Sequence, residues 1–284
     1  MTGKLILCAT PIGNLGDMTP RCIQTLREAD LIAAEDTRNS RKLLTHFDIH
    51  TPMTSYHEFN KYDKARELVE KMQQGAVVAL ITDAGTPGIS DPGEVLTQMA
   101  VEAGIPVSTN PGAAAFLQAL ILSGFSTRRF VFEAFLPQEK KEQREVLDSL
   151  KEETRTMILY EAPHRLRKTL DVLTGLFGED RPAAICKELT KKHETVLRLT
   201  LGEAVSRFRE EEPRGEYVIV IRGKDPEQKK AEQQAVWQQL GIEEHMQRYL
   251  DEGLDKKTAM KKVAADRGVS KRDIYAALNR KQQS

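Results

Sequence analysis

The sequence is poor in cysteine and tryptophan, with three Cys and one Trp among 284 residues. Cys8, Cys22 and Cys186 are odd in number and far apart, and their spacing is not that of metal ligands. A disulfide framework or a zinc site explains this pattern poorly. Buried free thiols in a reducing compartment explain it better.

Long apolar runs are also missing. No run approaches the length of a membrane span, and the N-terminal stretch MTGKLILCATP has too short an apolar core for a signal peptide. The sequence therefore predicts a cytoplasmic protein that makes no membrane contact.

An excess of charge of either sign is absent, since 42 Lys and Arg balance 42 Asp and Glu. The balance is uneven along the chain, because residues 256–284 carry nine Lys or Arg against two Asp or Glu. A basic tail on an acidic body suggests contact with nucleic acid. A solvated helical face is the alternative, and the sequence leaves it open.

Four common site signatures are missing: GxGxxG, GxxxxGK[ST], GxSxG and HExxH. His164 and His193 belong to different motifs, so no spacing argument supports a metal, and no metal site is predicted. What remains is a ligand without a phosphate chain, held mainly by backbone groups.

The stretch AVVALITDAGTPGISDPG, residues 76–93, organises the rest of the chain. Its apolar run Val77–Ile81 predicts a parallel strand buried on both faces. The loop that follows is rich in Gly and Pro, and loops at the carboxyl ends of parallel strands bind ligands in open α/β sheets. An ordinary strand-to-helix connection is the competing interpretation.

Apolar runs alternate with helical periodicity along most of the chain, which predicts an α/β fold of two α/β domains with mixed sheets. We expect α/β domains at residues 1–125 and 126–223, a polar linker at 224–234 and a basic helix-turn-helix-like appendix at 235–284. Thr19 and Pro20 predict the start of a helix.

Six clusters rich in Gly, Pro and charge follow predicted strands: TPIGN, EDTR, DAGTPG, NPGAAA, EAPHR and ELTKKHE. Each one alone is weak evidence. Because they come from both halves of the chain and occupy the same position after a strand, they predict the two walls of one cleft.

Five longer motifs carry a family resemblance: ATPIGNLGDMT, AEDTR, ITDAGTPGISDPG, YEAPHR and ELTKKHE. Together they resemble the ribosomal RNA small-subunit methyltransferase I family, the cytidine 2′-O-methyltransferases of 16S rRNA within the tetrapyrrole-methylase-like superfamily. The resemblance covers residues 4–223, and the C-terminal segment resembles a helix-turn-helix appendix of some members.

The resemblance implies a homodimer that binds S-adenosylmethionine in the cleft and acts on 16S rRNA of the small subunit. The cofactor-binding residues that it implies are Pro11, Gly13, Asn14, Asp83, Ala84, Gly85, Thr86, Pro87, Pro111, Gly112, Ala113 and Ala114. Two departures matter: PGAAA stands where the family often has PGPSA, and AFLP stands where it usually has GFLP. The first removes a serine hydroxyl from the cofactor turn.

Methyl transfer to a ribose hydroxyl requires a base or a cation beside that hydroxyl. The candidate catalytic residues are Glu161, His164, Glu35 and Asp36, with Glu161 or His164 in the proton-handling role. Arg38, Arg165, Lys191 and His193 are candidates for binding RNA. The alternative interpretation is that Glu35–Arg38 and Glu161–Arg165 are ion pairs that stabilise the fold.

The segment TSYHEFNKYDK places aromatic residues beside lysines, so Tyr56 and His57 are further candidates for RNA contact through base stacking. Surface or dimer packing competes with this role. Two other functions stay open at this point: a tetrapyrrole C-methyltransferase, and a non-enzymatic RNA-binding assembly factor on the same fold.

Overall fold

The computed structural model describes residues 3–280. They form two compact units: residues up to 151 together with 155–222, and residues 152–154 together with those from 223 onward. Within this described range, no helix is both long enough and apolar enough to cross a membrane. The three cysteines are buried and free, as predicted.

The first sheet of the larger unit is parallel, with the strand order β3-β2-β4-β1-β5. Its strands are β1 (Lys4–Cys8), β2 (Leu31–Ala34), β3 (Met53–Ser55), β4 (Val77–Ile81) and β5 (Val107–Asn110). The predicted strand in residues 77–81 is confirmed, and residues 78–81 are buried. Separate apolar clusters cover the two faces of this sheet, as parallel strands require.

Helices follow the strands of this sheet: α1 (Pro20–Glu28), α2 (Thr37–His46), α3 (Lys61–Gln73), α4 (Gly93–Glu102) and α5 (Ala115–Ser123). The predicted start of α1 is confirmed, because the Thr19 side chain accepts a hydrogen bond from the N–H of Cys22 and Pro20 opens the helix. Helix α3 begins at Lys61, so the last four residues of the segment TSYHEFNKYDK are helical.

The second sheet has the order β6-β7-β10-β8-β9 and mixes one parallel pairing with antiparallel ones. Its strands are β6 (Phe130–Phe135), β7 (Thr156–Glu161), β8 (Pro182–Lys187), β9 (Thr195–Thr200) and β10 (Tyr217–Ile221). Helices α6 (Lys140–Leu150), α7 (Pro163–Phe177) and α8 (Leu201–Glu210) accompany them. The prediction of a mixed sheet in this half is confirmed.

Helix α5 joins the two sheets of the larger unit. Ala119 and Leu120 of α5 pack with Ile158, Ala184 and other residues of the second sheet in one buried cluster. Because α5 begins at the end of β5, this packing brings the strand ends of the first sheet next to the second sheet.

The smaller unit contains α9 (Pro226–Gln238), α10 (Ile242–Asp251), α11 (Lys256–Arg267) and α12 (Lys271–Arg280). Its core is made of Met246, Ala259, Met260, Val263, Ala264 and Ile274. The predicted turn is present: Gly268 has a φ of +65° and ends α11, and the N–H of Asp273 donates to Ser270 Oγ at the start of α12.

The predicted linker at 224–234 is instead largely helical. Asp225 caps α9 by accepting a hydrogen bond from the N–H of Glu227, and Pro226 occupies the first turn. Helix α9 buries none of its residues. A helix that buries no residue needs no apolar face, so its sequence has no apolar periodicity from which the helix could be predicted.

Candidate active site at the strand ends

A cavity of about 430 Å³ lies at the carboxyl ends of the strands, and we name it the strand-end cavity. Each of the six predicted clusters supplies at least one lining residue: Ile12, Glu35, residues 82–86, Ala114 and Ala115, residues 161–163, and Leu189. The predicted cleft is therefore confirmed. Its size lies in the range of single small-molecule sites.

The loop after β4 is held against the loop after β1. The N–H of Thr10 donates to the carbonyl of Gly85 at 2.8 Å, and the N–H of Gly85 donates back to the carbonyl of Thr10 at 3.1 Å. Gly85 has a φ of +87°, and an added Cβ would lie 3.3 Å from Ile12 Cγ2, so a glycine is required here. The backbone groups of Gly85 are consequently used within the protein.

Neighbouring backbone donors in this loop remain available to a ligand. Among residues 3–280, the N–H groups of Ala84 and Thr86 find no hydrogen-bond acceptor. The Thr86 hydroxyl donates to the carbonyl of Ala113 at 3.0 Å, which ties the loop to the NPGAAA turn. An orphan backbone donor beside a cavity is a ready site for a polar ligand atom.

The NPGAAA turn packs tightly on the end of β1. A Cβ at Gly112 would lie only 2.6 Å from the Cβ of Ala9. The turn leads into α5, whose first residues Ala115 and Phe116 line the cavity beside Ala114. The predicted residues that do not line the cavity are Pro11, Gly13, Asn14, Pro87, Pro111, Gly112 and Ala113. Asn14 instead caps the short 3-10 turn at Leu15–Asp17.

Three carboxylates cluster at one edge of the cavity. The N–H of Asp36 donates to Asp83 Oδ1 at 3.1 Å, and the Thr82 hydroxyl donates to Glu35 Oε2 at 2.6 Å. Burial, with the nearby charges of Glu35 and Asp36, raises the pKa of Asp83. A carboxylate with a raised pKa is a stronger base than an ordinary one.

Asp36 has a different role from the catalytic one that the sequence predicted. Its carboxylate caps α2 by accepting from the N–H of Arg38, and it also pairs with the Arg38 guanidinium at 3.1 Å. These hydrogen bonds lower the pKa of Asp36. Asp36 does not line the cavity. The predicted Glu35–Arg38 pairing is not seen, because Arg38 pairs with Asp36.

Glu161 lines the cavity, but both of its carboxylate oxygens already have partners in the protein. Oε2 accepts from the Thr169 hydroxyl at 2.5 Å, and Oε1 accepts from the N–H of Ala162 at 2.8 Å and lies 3.4 Å from Arg165 Nε. The side chain is completely buried. This geometry matches the ion-pair alternative better than proton handling.

His164 does not reach the strand-end cavity. It is exposed on α7 and lines a separate cavity of about 300 Å³, the α7 cavity, with Arg165, Lys168 and Gln138. The reason is local: Pro163 begins α7, and the helical turn carries His164 away from residues 161–163. The Arg165 guanidinium also donates to the carbonyl of Leu136 at 2.7 Å.

Lys191 is already balanced by carboxylates. Its Nζ lies 2.9 Å from Glu188 Oε1 and 2.8 Å from Glu216 Oε2. Burial alone would lower the pKa of Lys191, but the hydrogen bonds to Glu216 and Glu188 outweigh burial and raise it. Gly13 packs against the Lys191 side chain. The predicted phosphate contact through Lys191 thus competes with two carboxylates, whereas His193 is exposed.

Tyr56 belongs to the core, which corrects the prediction that it stacks on RNA. It is 1% exposed, and its hydroxyl donates to the carbonyl of Pro92 at 2.7 Å. Residue type alone did not reveal that this ring points inward directly after β3. His57 is half-buried, while Phe59 and Tyr62 of the same segment are exposed.

Several lining residues were not predicted from the sequence: Phe116, Phe135, Tyr160, Glu216, Tyr217 and Ile89. The Tyr160 hydroxyl accepts from the N–H of Phe116 at 3.2 Å, and burial raises the pKa of Tyr160. The only available signal was the position of Tyr160 at the start of the YEAPHR motif. Ile89 lies in the loop of residues 76–93, and the others come from segments that only the fold brings together.

Comparison with known proteins identifies the family of the chain. Residues 4–205 match the family described as Tetrapyrrole (Corrin/Porphyrin) Methylases. Two relatives named ribosomal RNA small subunit methyltransferase I are similar over most of the chain. The protein from Halalkalibacterium halodurans is 48% identical over 96% of this chain and 93% of its own, and that from Synechocystis sp. is 46% identical over 96% of both.

A solved structure shares the fold. Uroporphyrin-III C-methyltransferase from Thermus thermophilus, complexed with S-adenyl homocysteine, aligns with a TM-score of 0.55. It is 16% identical over 78% of this chain and 98% of its own, which supports the architecture alone. The family match and the identity to the relatives show the family: this chain belongs to the tetrapyrrole methylase family and, within it, to the ribosomal RNA small subunit methyltransferase I family.

Proposed function

We propose that this protein transfers the methyl group of S-adenosylmethionine to the ribose 2′-hydroxyl of a cytidine in 16S rRNA of the small ribosomal subunit. The observation that carries the proposal is the strand-end cavity, which draws on all six predicted clusters in a chain nearly half identical to small-subunit rRNA methyltransferases. We further propose that the protein works as a homodimer in the cytoplasm.

The cavity fits the cofactor by its donor set. S-adenosylmethionine supplies an electrophilic methyl group on a sulfonium, together with an amino acid end that needs hydrogen-bond partners. Ala84 and Thr86 offer free backbone N–H groups, and the close packing of Gly112 on Ala9 holds the opposite turn in place. The start of α5 at Ala115 adds the positive end of a helix dipole, which favours a carboxylate.

Asp83 is the proton acceptor that we propose for the ribose hydroxyl. It lines the cavity and its pKa is raised, whereas Glu161 has no free carboxylate oxygen and His164 lies elsewhere. Glu35, fixed by the Thr82 hydroxyl, supports this role because its charge makes Asp83 more basic. General-base assistance of this kind contributes about 10²- to 10⁴-fold in rate.

RNA phosphate is proposed to bind at the α7 cavity. His164, Arg165 and Lys168 line the α7 cavity. Residues 161–163, which line the strand-end cavity, immediately precede His164 in the sequence. A phosphate next to the target nucleotide would therefore lie beside cationic side chains. Arg38, whose side chain is 88% exposed, and His193 remain predicted RNA contacts, and His57 remains a predicted contact for base stacking.

The test is to incubate the full-length protein with radiolabelled S-adenosylmethionine and one of three acceptors. These are small subunits from a strain that lacks the methyltransferase, naked 16S rRNA, and a tetrapyrrole. We expect label in subunits or in 16S rRNA and none in the tetrapyrrole. Label in the tetrapyrrole alone would favour the C-methyltransferase alternative, and cofactor-independent RNA binding without label would favour the assembly factor.

A further inference from the structure

Phe135 lies at the mouth of the strand-end cavity. It is the last residue of β6, it lines the cavity, and it is 49% exposed. A large apolar side chain that is half exposed beside a ligand cavity is a candidate contact for a ligand that enters from solvent.

A β-bulge aims Phe135 at this position. The pairing of β6 with β7 shifts register between Phe132 and Ala134, and Ala134 has a φ of +51°, which is unusual for alanine. In a regular strand, residues three apart point to opposite faces. Here the rings of Phe132 and Phe135 lie 5.0 Å and 5.6 Å from the ring of Tyr160, so the bulge places both on the same side.

The ring is backed by a supported aromatic row of Phe116, Phe132, Tyr160 and Phe135. Phe116 stacks on Phe132 at 4.6 Å, and the Tyr160 hydroxyl is fixed by the N–H of Phe116. The inner members of the row are partly buried, whereas Phe135 at its outer end presents an open face. A rigid ring loses little conformational freedom when a planar ligand stacks on it.

We propose that Phe135 stacks on the base of the nucleotide whose ribose is methylated. This inference rests on the proposed function. A cavity of about 430 Å³ suits one small-molecule ligand, so with the cofactor inside, the nucleotide is held at the mouth. The base is joined to the ribose and must lie beside it there, and proteins hold unpaired RNA bases by stacking on aromatic rings.

The experiment compares wild type with Phe135→Ala, Phe135→Leu and Phe135→Tyr, and with Phe130→Ala as the matched control. Phe130 begins the same strand, is 36% exposed and does not line the cavity. Its ring lies 6.4 Å from the ring of Phe116, so its loss also controls for a general loosening of the aromatic row. For each protein, kcat and KM are measured on small subunits from a strain that lacks the methyltransferase. The Kd for S-adenosylmethionine is measured by calorimetry, and the mass in solution by light scattering.

We expect Phe135→Ala and Phe135→Leu to lower kcat/KM for subunits by about 5- to 150-fold, the range for loss of one base–aromatic stack. Phe135→Tyr and Phe130→Ala should stay within about threefold of wild type, since both leave the stack in place. The cofactor Kd and the mass in solution should not change in any variant.

Four results would overturn the proposal. A weaker cofactor Kd in Phe135→Ala would assign the ring to the cofactor, and a changed mass would assign it to a contact between copies of this chain. Unchanged kcat/KM in Phe135→Ala with an active wild type would refute the stacking role alone. A wild type that methylates no RNA would remove the proposed function and this inference with it.

Discussion

Replacement of Gly112 by alanine tests how the cofactor turn is built. The added Cβ would lie 2.6 Å from the Cβ of Ala9, which is 4% exposed and follows β1 directly. Neither atom sits at the end of a flexible side chain, so the turn itself must move. Overpacking of this kind costs about 1–3 kcal/mol in the free energy of unfolding.

The matched control is Gly175→Ala in the last turn of α7. An added Cβ there meets no atom within 4 Å, and the backbone is helical. Alanine should stabilise this site by about 0.5–1 kcal/mol, because glycine is the weaker helix former. The two substitutions add the same methyl group, so the control shows the effect of that group where it meets no neighbouring atom.

Urea unfolding gives the change in the free energy of unfolding, and calorimetry gives the Kd for S-adenosylmethionine. Because the shift in Gly112→Ala displaces Ala113 and Ala114, we expect the Kd to rise about tenfold, equivalent to a loss of about 1.4 kcal/mol of binding free energy. Gly175→Ala should bind as wild type does. A Gly112→Ala protein with wild-type stability and wild-type Kd would refute the reasoning.

Three further predictions follow from the same geometry. Asp83→Asn keeps the side-chain shape but removes the base, so kcat should fall about 10²-fold or more with the cofactor Kd unchanged, whereas Asp63→Asn on exposed α3 should match wild type. A kcat equal to that of wild type in Asp83→Asn would exclude Asp83 as the proton acceptor, and a weaker cofactor Kd would instead assign it the cofactor-binding role that the resemblance implies. His245 is fully buried and stacked at 4.0 Å on Trp237, and burial lowers its pKa from 6.5. The free energy of unfolding of the smaller unit should therefore be highest above pH 6.5 and fall by at most about 1.4 kcal/mol per pH unit as pH falls through the lowered pKa. Trp237 fluorescence in urea measures this free energy, and a value that does not change with pH would contradict the prediction. A chain that ends at Arg222 should bind subunits more weakly than the full-length chain does, with a smaller salt dependence and an unchanged cofactor Kd. If the two chains bind subunits with equal affinity across a salt series, the basic helices do not contact RNA.

Much of the fold follows from local sequence. The strands at Val77–Ile81 and Tyr217–Ile221 are continuous apolar runs, which is what burial on both faces demands. The cap at Thr19 and the glycine after α11 follow from backbone chemistry in the same way. Helix α9 escaped prediction because it buries no residue and has no apolar stripe to detect.

The site was predictable as a location but less so in its residue roles. Strand-end clusters converge wherever parallel strands share an edge, so the cavity could be expected. The interaction partners of individual side chains could not be predicted from the sequence. Lys191 meets Glu216 from the start of β10, and the inward direction of Tyr56 depends on packing beneath α4. Such pairings arise from the tertiary fold and leave no trace in local spacing.

The most direct test of the central claim is to locate the transferred methyl group. Small subunits from a strain that lacks the methyltransferase are incubated with the protein and S-adenosylmethionine, and their rRNA is digested to nucleosides. Tandem mass spectrometry then separates sugar from base. We predict 2′-O-methylcytidine, with the methyl group on the ribose fragment. A methyl group on the base, or no methylated nucleoside above the enzyme-free control, would contradict the proposed function.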